Sequence, residues 1–274
     1  MLKLLRWMQK DTKTPNPPSN LGWVGVVSLL VVIVAALLPP LPQPVEYHQF
    51  ADQRSFFGIP RFNDVMSNLA FLISGAAGLV FLQRVCRTSA SVQFQHRRES
   101  LPYWVLFSSV VLVAFGSIYY HRTPDSDHLL WDRLPIATGM AALLAATITE
   151  RIDPKPGLRS LPLLAILGIF SVLYWYWSER QGAGNLNFYI VMQSYSILLI
   201  VWLSLRFPSR YTQGDGIYPV VALYALAKVF ELLDGQIFVL TQGCISGHTL
   251  KHLTAAYAAY RIVQLLRKRV LINQ

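Results

Sequence analysis

Apolar runs of about 18 residues alternate with short polar segments along the whole chain, and each is long enough to cross a membrane as a helix. The first covers 21–38. It follows a polar stretch carrying Lys3, Arg6, Lys10 and Lys13, and it stops at Pro39 and Pro40. The later runs predict helices over about 62–82, 102–121, 132–148, 161–177, 187–205, 217–238 and 248–266. Connections are short, and no internal repeat or low-complexity tract breaks the series. The expected fold is an all-α integral membrane protein, a seven-transmembrane-helix core plus one extra N-terminal transmembrane helix. The first run is read as an uncleaved helix, because its polar leader is long and no small-residue cleavage pattern follows. The chain divides into 1–45 (cytoplasmic tail, first helix and linker), 46–266 (the seven-helix domain) and 267–274 (a basic tail).

Composition narrows the classes further. Hydrophobic residues make up 53% of the 274 and charged ones 14%, about half the charged share of a soluble domain. The net charge of +10 raises the question of nucleic acid. The basic residues sit between apolar runs, however, and form no stripe interleaved with aromatics, which argues against nucleic-acid binding. With the N-terminus inside, sixteen fall in cytoplasmic segments: Lys3, Arg6, Lys10, Lys13, Arg84, Arg87, Arg97, Arg98, Arg151, Lys155, Arg159, Arg206, Arg210, Arg267, Lys268 and Arg269. Five fall outside: Arg54, Arg61, Arg122, Arg133 and Arg180. Both termini are therefore expected in the cytoplasm. The two cysteines, Cys86 and Cys244, then lie on opposite faces and cannot pair.

Ionisable groups at membrane depth are costly and are kept mainly where they function. Ser117 and His121 are four apart and share one helix face, and His248 and His252 repeat that spacing in the last run. With Asp132 at the start of the next run, these five residues come from three helices and fall in one shallow extracytoplasmic layer. One reading is a three-histidine zinc site with an open fourth position. The other is a set of interhelical hydrogen-bond partners.

The Ser117–His121 pair, Asp132 eleven residues further on, and the His248–His252 pair together resemble the alkaline ceramidase family. That family belongs to a superfamily of membrane hydrolases that includes the progestin and adiponectin Q receptors. The neighbouring residues Trp131-Asp132-Arg133-Leu134-Pro135 and Ser246-Gly247-His248 add to the likeness, which covers about 46–266. The resemblance implies that His121, His248 and His252 bind Zn2+, that Asp132 takes the proton from the attacking water, and that Ser117 steadies the oxyanion. It implies hydrolysis of the N-acyl bond of a ceramide-like lipid. A different lipid amide or ester, or a non-catalytic zinc-stabilised receptor, is the alternative. For Asp132 the competing role is orienting a histidine, and for Ser117 it is bonding back to its own helix.

The same family carries a calcium site just before and at the start of the first core helix. Arg54 and Arg61 stand where acidic ligands are expected, so the expectation is against Ca2+, with Glu46, Asp52, Asn63 and Asp64 as the remaining candidates. Lys228 and Glu231 are expected to neutralise each other, while Glu231 or Asp234 could instead bond a ligating histidine. The run Tyr174-Trp175-Tyr176-Trp177 reads as an interfacial belt or a lipid entrance. His48, His96 and His128 are read as solvated loop residues. A rival from another class is a retinal protein with Lys251 as Schiff base and Asp132 as counter-ion. Against it, Lys251 points about 100° from the face that carries His252.

Overall fold

The computed structural model describes residues 21–87 and 92–272. The cluster Lys3, Arg6, Lys10 and Lys13 lies outside the described residues. In chain order the helices are α1 (Leu21–Leu37), α2 (Phe62–Ser67), α3 (Leu69–Arg87), α4 (Leu101–Arg122) and α5 (Ser126–Arg151). They continue as α6 (Pro154–Arg180), α7 (Asn187–Arg206), α8 (Ile217–Leu232), α9 (Asp234–Leu240) and α10 (Gly247–Lys268). Among the described residues the only β pairing is the isolated bridges Phe56 to Ile59 and Tyr211 to Leu271.

Five spans are long and apolar enough to cross a membrane: Phe62–Arg87, Arg97–Arg122, α5, α6 and α7. A sixth arises if α8 and α9, bent by 78°, count as one broken span. The first helix has only 17 residues, and α10 carries His248, Lys251, His252 and Arg261 among its apolar positions. Neither is among those spans.

Burial follows the logic of a bundle in lipid. The outer helix α6 exposes Leu163, Ile166, Phe170 and Trp177, whose spacing of three, four and seven makes one continuous apolar stripe. Water would penalise such a stripe, and acyl chains do not. The central helix is α5, where Ala137, Ala141, Ala142 and Ala145 are fully buried and α4, α6 and α7 pack around it. Helix α10 closes the other side against α3 and α8, whereas α7 and α8 touch only sparsely. Helix α1 lies on the outside of α7, where Ser28 and Tyr195 share a 2.8 Å hydrogen bond.

Four of the predicted runs depart from their expected bounds, and α6 begins at Pro154 rather than near 161 because Asp153 caps it by accepting the Lys155 backbone N–H. Helix α5 starts at Ser126 rather than near residue 132, because Asp125 caps it by accepting the His128 backbone N–H at 2.8 Å. Asp132 is thus six residues inside the helix, about 9 Å deeper than a helix start. The run predicted from 62 is broken at Asn68. There the Ser67 hydroxyl and the Asn68 amide both donate to the Asp64 carbonyl, at 3.0 and 2.7 Å, and compete with the helical bond. The run predicted over 217–238 bends where the N-terminus of α10 pushes against it. A Cβ at Gly247 would lie 2.3 Å from the Phe230 carbonyl oxygen and 2.7 Å from the Asp234 Cα.

The far end of the bundle is tied by a satisfied polar network. Arg269 donates to Glu150 at 3.0 Å and to the Gln93 carbonyl at 2.8 Å, and the Tyr211 hydroxyl donates to Glu99. Arg151 donates to the carbonyls of Ser204, Phe207 and Gly214, holding the C-terminus of α7 and the connection after it.

Candidate metal centre

His121 closes the last turn of α4, and His248 and His252 occupy the first two turns of α10. All three are buried. Their ring centroids form a near-equilateral triangle with sides of 4.8, 4.9 and 4.8 Å. One ring nitrogen from each lies within 4.8 Å of the others, so the group could hold a metal ion. Among the described residues no other group of histidine, cysteine, aspartate or glutamate is so arranged. Both ring nitrogens of His121 are buried without a hydrogen-bond partner. A buried polar atom left unpaired costs about 1–3 kcal/mol, so the cluster fits an ion that would take one lone pair from each ring.

The supporting residues are local consequences of the broken and bent helices. The break at Asn68 brings the Ser67 hydroxyl to 2.8 Å from His252 Nδ1, which leaves Nε2 for the centre. Asp64 anchors the start of α10 by accepting from Ser246 at 3.0 Å and from Thr249 at 2.6 Å. Asp234, at the bend, accepts the His248 backbone N–H at 2.7 Å and the Ala51 N–H at 2.9 Å. Arg61 donates to the carbonyls of His121 and Arg122, holding the C-terminus of α4. The Phe50 ring covers the centre, 4.5 Å from His121 and 4.7 Å from His248. Ser67 was missed in the sequence as a supporting residue. Its one visible signal is the polar cluster Asn63, Asp64, Ser67 and Asn68 opening an otherwise apolar run.

Ser117 and Asp132 meet because α4 and α5 touch there. Pro135 cannot donate to the carbonyl four residues back, so the Trp131 carbonyl is left without its helical partner. Gly116 packs on that carbonyl so tightly that a Cβ would lie 2.2 Å from its oxygen. The next residue of each helix then faces its counterpart, the Ser117 hydroxyl toward the Asp132 carboxylate. Asp132 sits at the depth of Ser117 and His252 rather than at the rim.

From Asp132 a cavity of about 900 Å3, open solvent included, runs inward between the helices. One part of its lining is polar, with Tyr47, Arg133, Lys228, Glu231 and Lys251, and another is apolar, with Leu106, Val110, Val113, Met140 and Ala259. Glu231 pairs with Lys228 at 2.7 Å, as expected, and also with Lys251. Lys251 does turn away from the face of His252, but it turns into this cavity. Glu231 bonds no ligand ring directly and reaches the centre through Lys251, whose ammonium lies 3.3 Å from His248 Nε2. Asp234 holds backbone instead of a ring.

The other candidates separate. Arg54 spans both carboxylate oxygens of Asp52, at 2.8 and 2.6 Å, and Asn63 adds a bond at 3.0 Å. Burial pushes the Asp52 carboxyl up, but these donors outweigh it and hold it below the usual carboxylate range. Asp64 accepts from Ser246 and Thr249 through Oδ1 alone, leaving Oδ2 buried without a partner, and Glu46 is exposed in the turn Val45–His48. The aromatic run divides: Trp177 is exposed, while Trp175 is fully buried in the core. His96 is exposed. His128 pairs with its capping Asp125 at 2.6 Å. His48 is not a solvated residue, since it is half-buried and bonds the Tyr120 hydroxyl at 3.0 Å. Burial, and then the Arg133 charge, lower its pKa.

The assembled features define a helical protein with five or six spans long and apolar enough to cross a membrane, and a buried three-histidine group beside an internal cavity. Compared with known proteins, the chain matches no protein-family model and no curated protein.

Proposed function

We propose that this protein is a zinc-dependent intramembrane hydrolase that cleaves the N-acyl amide bond of ceramide-like lipids, giving a fatty acid and a sphingoid base. The convergence of three buried histidines, with both ring nitrogens of His121 unpartnered, carries the reading. Three imidazoles without thiolates suit zinc with one position open. The motif likeness to the alkaline ceramidases supports the substrate, and an apolar wall leading from Asp132 suits an acyl chain.

When bound, zinc supplies Lewis acidity that makes water nucleophilic near neutral pH and polarises an acyl carbonyl. Asp132 takes the proton of the attacking water and returns it to the leaving nitrogen. It lines the cavity and no hydrogen bond joins it to a histidine ring, which favours base over orienter. Ser117 donates its hydroxyl to the oxygen that gains charge at the tetrahedral carbon. Ser67 keeps His252 in the ligating tautomer. Lys251 and Lys228 share Glu231, which keeps this side of the cavity polar and leaves the trio with one net positive charge.

In this reading all eight predicted helices span the membrane. The low apolarity of α10 reflects its service to the site, since His248, Lys251 and His252 face inward. Both termini are cytoplasmic and the site opens toward the extracytoplasmic side, as the distribution of basic residues supports. Cys244 is exposed in the loop before α10, and Cys86 is half-buried near the opposite end. In sealed right-side-out vesicles an impermeant thiol reagent should label Cys244 and spare Cys86, and the reverse pattern would invert the topology.

The decisive experiment is metal analysis of the purified protein with fatty-acid release from ceramide, before and after chelation. The expected result is one zinc per chain and turnover that stops with chelation and returns with zinc. Zinc without turnover of ceramide or any other lipid amide or ester would indicate the non-catalytic receptor. His121→Ala should lose metal and stability together, and stoichiometric zinc in that variant would remove the site.

A further inference from the structure

Arg133 follows Asp132 on α5 and lines the same cavity, yet only 4% of it is exposed. Its guanidinium lies over Trp175 at 4.1 Å, Tyr189 at 4.7 Å and Tyr47 at 5.3 Å. Nη2 donates to Gln43 at 2.6 Å, whereas Nε and Nη1 are buried with no partner. Among the described residues no carboxylate forms an ion pair with it. Of the carboxylates in the same cavity, Glu231 is paired with two lysines, and neither Glu231 nor Asp132 forms an ion pair with Arg133.

The bundle's other buried guanidiniums find acceptors: Arg151 bonds the carbonyls of Ser204, Phe207 and Gly214, and Arg269 sits in a comparable aromatic cage. Arg269 is also 4% exposed and lies over Tyr211, Phe94 and Tyr103 at 4.2, 4.5 and 5.1 Å. There Nη1 bonds the Glu150 carboxylate and Nε a carbonyl. A guanidinium stays charged at any accessible pH. Aromatic faces offset part of its lost hydration, and the remainder calls for hydrogen-bond acceptors, of which a carboxylate is the strongest. In the Arg133 cage the chain itself supplies neither a carboxylate nor a carbonyl to Nε and Nη1.

We infer that Arg133 docks the carboxylate of a lipid bound in the cavity, carried either by the head of an N-acylated amino acid or by the fatty acid that hydrolysis releases. The inference rests on the hydrolase reading for the kind of lipid, but docking itself needs no metal. A neutral oxygen would meet these donors more weakly than a carboxylate, so an anionic lipid should bind more tightly than its neutral counterpart.

The test measures equilibrium binding to the full-length protein in detergent after chelation. Oleate is compared with oleyl alcohol, and N-oleoylglycine with N-oleoylethanolamine. Each carboxylate should bind at least about tenfold tighter than its neutral counterpart, as expected for hydrogen bonds to a charged group. Arg133→Gln should abolish the preference, and Arg133→Lys should reduce it. A preference for oleate alone identifies a product site, and one for N-oleoylglycine alone a substrate head-group site. Equal affinities within both pairs for the wild-type protein would overturn the inference, as would a preference unchanged in either variant. If the glutamine variant does not fold, the wild-type comparison and the lysine variant decide. Failure of the hydrolase reading appears separately, as carboxylate preference in a zinc-loaded protein that cleaves neither N-oleoylglycine nor ceramide.

Discussion

The two ends of the bundle solve the same problem differently. At the end holding Glu99, Glu150, Arg210 and Arg269, buried charges meet inside the chain: Glu150 accepts from Tyr103, Ser209 and Arg269, and Glu99 from Tyr211 and Arg210. At the histidine end His121 has two unpartnered ring nitrogens, Arg133 two unpartnered guanidinium nitrogens, and Asp64 and Asn68 one unpartnered oxygen each. Both ends bury polar groups to a similar depth, so burial alone does not separate scaffold from site. What separates them is the satisfaction of the charged and ring groups, since at the closed end only the Ser204 hydroxyl is left unpartnered among the described residues. A satisfied network stabilises the bundle and has nothing to offer a ligand, whereas open valences at fixed geometry are what a ligand completes.

This contrast predicts opposite responses to substitution. The largest effect falls at the open end: Asp132→Asn should lose about 10²–10⁴-fold in turnover, the usual cost of losing a general base. Zinc content and thermal midpoint should stay near wild type, and near-normal turnover in a zinc-loaded variant would remove Asp132 from the chemistry. At the closed end, Glu150→Ala strands the Arg269 charge and should cost about 3–5 kcal/mol of stability. Turnover per folded molecule should hold, and a selective loss of activity without loss of stability would break the contrast.

Smaller effects sharpen it. Gly116→Ala places a Cβ against the Trp131 carbonyl, an overpacking worth about 1–3 kcal/mol. It should also depress turnover by parting Ser117 from Asp132, and a variant as stable and active as wild type would show that the helices need not touch there. Ser67→Ala removes the bond to His252 Nδ1, and loss of such a support typically weakens metal binding about 10–100-fold. Competition with a zinc chelator would measure the change. Unaltered affinity would mean that Ser67 belongs to the scaffold.

Much of the histidine end is legible in the chain because its signals are local. The i, i+4 spacing of Ser117 with His121 and of His248 with His252 follows from helical pitch, and apolar runs with basic residues between them follow from the cost of placing charge in lipid. The depth of Asp132 was misjudged for an equally local reason. The polar first turns of α5 hide its start at the Asp125 cap, outside the apolar run that defined the prediction.

The long-range features could not be read this way. Ser67 reaches His252 across 185 residues, and the caged Arg133 is assembled from Gln43, Tyr47, Trp175 and Tyr189 on separate segments. In the sequence Trp175 is one aromatic of four in a row, and Arg133 is one more charge near a helix end. The sequence by itself determined which residues share a helix face, since that follows from backbone geometry repeated every few residues. Only the tertiary structure decided which buried charges are paired and which are left open. Pairing is a contact between distant segments, and the packing of whole helices brings them together.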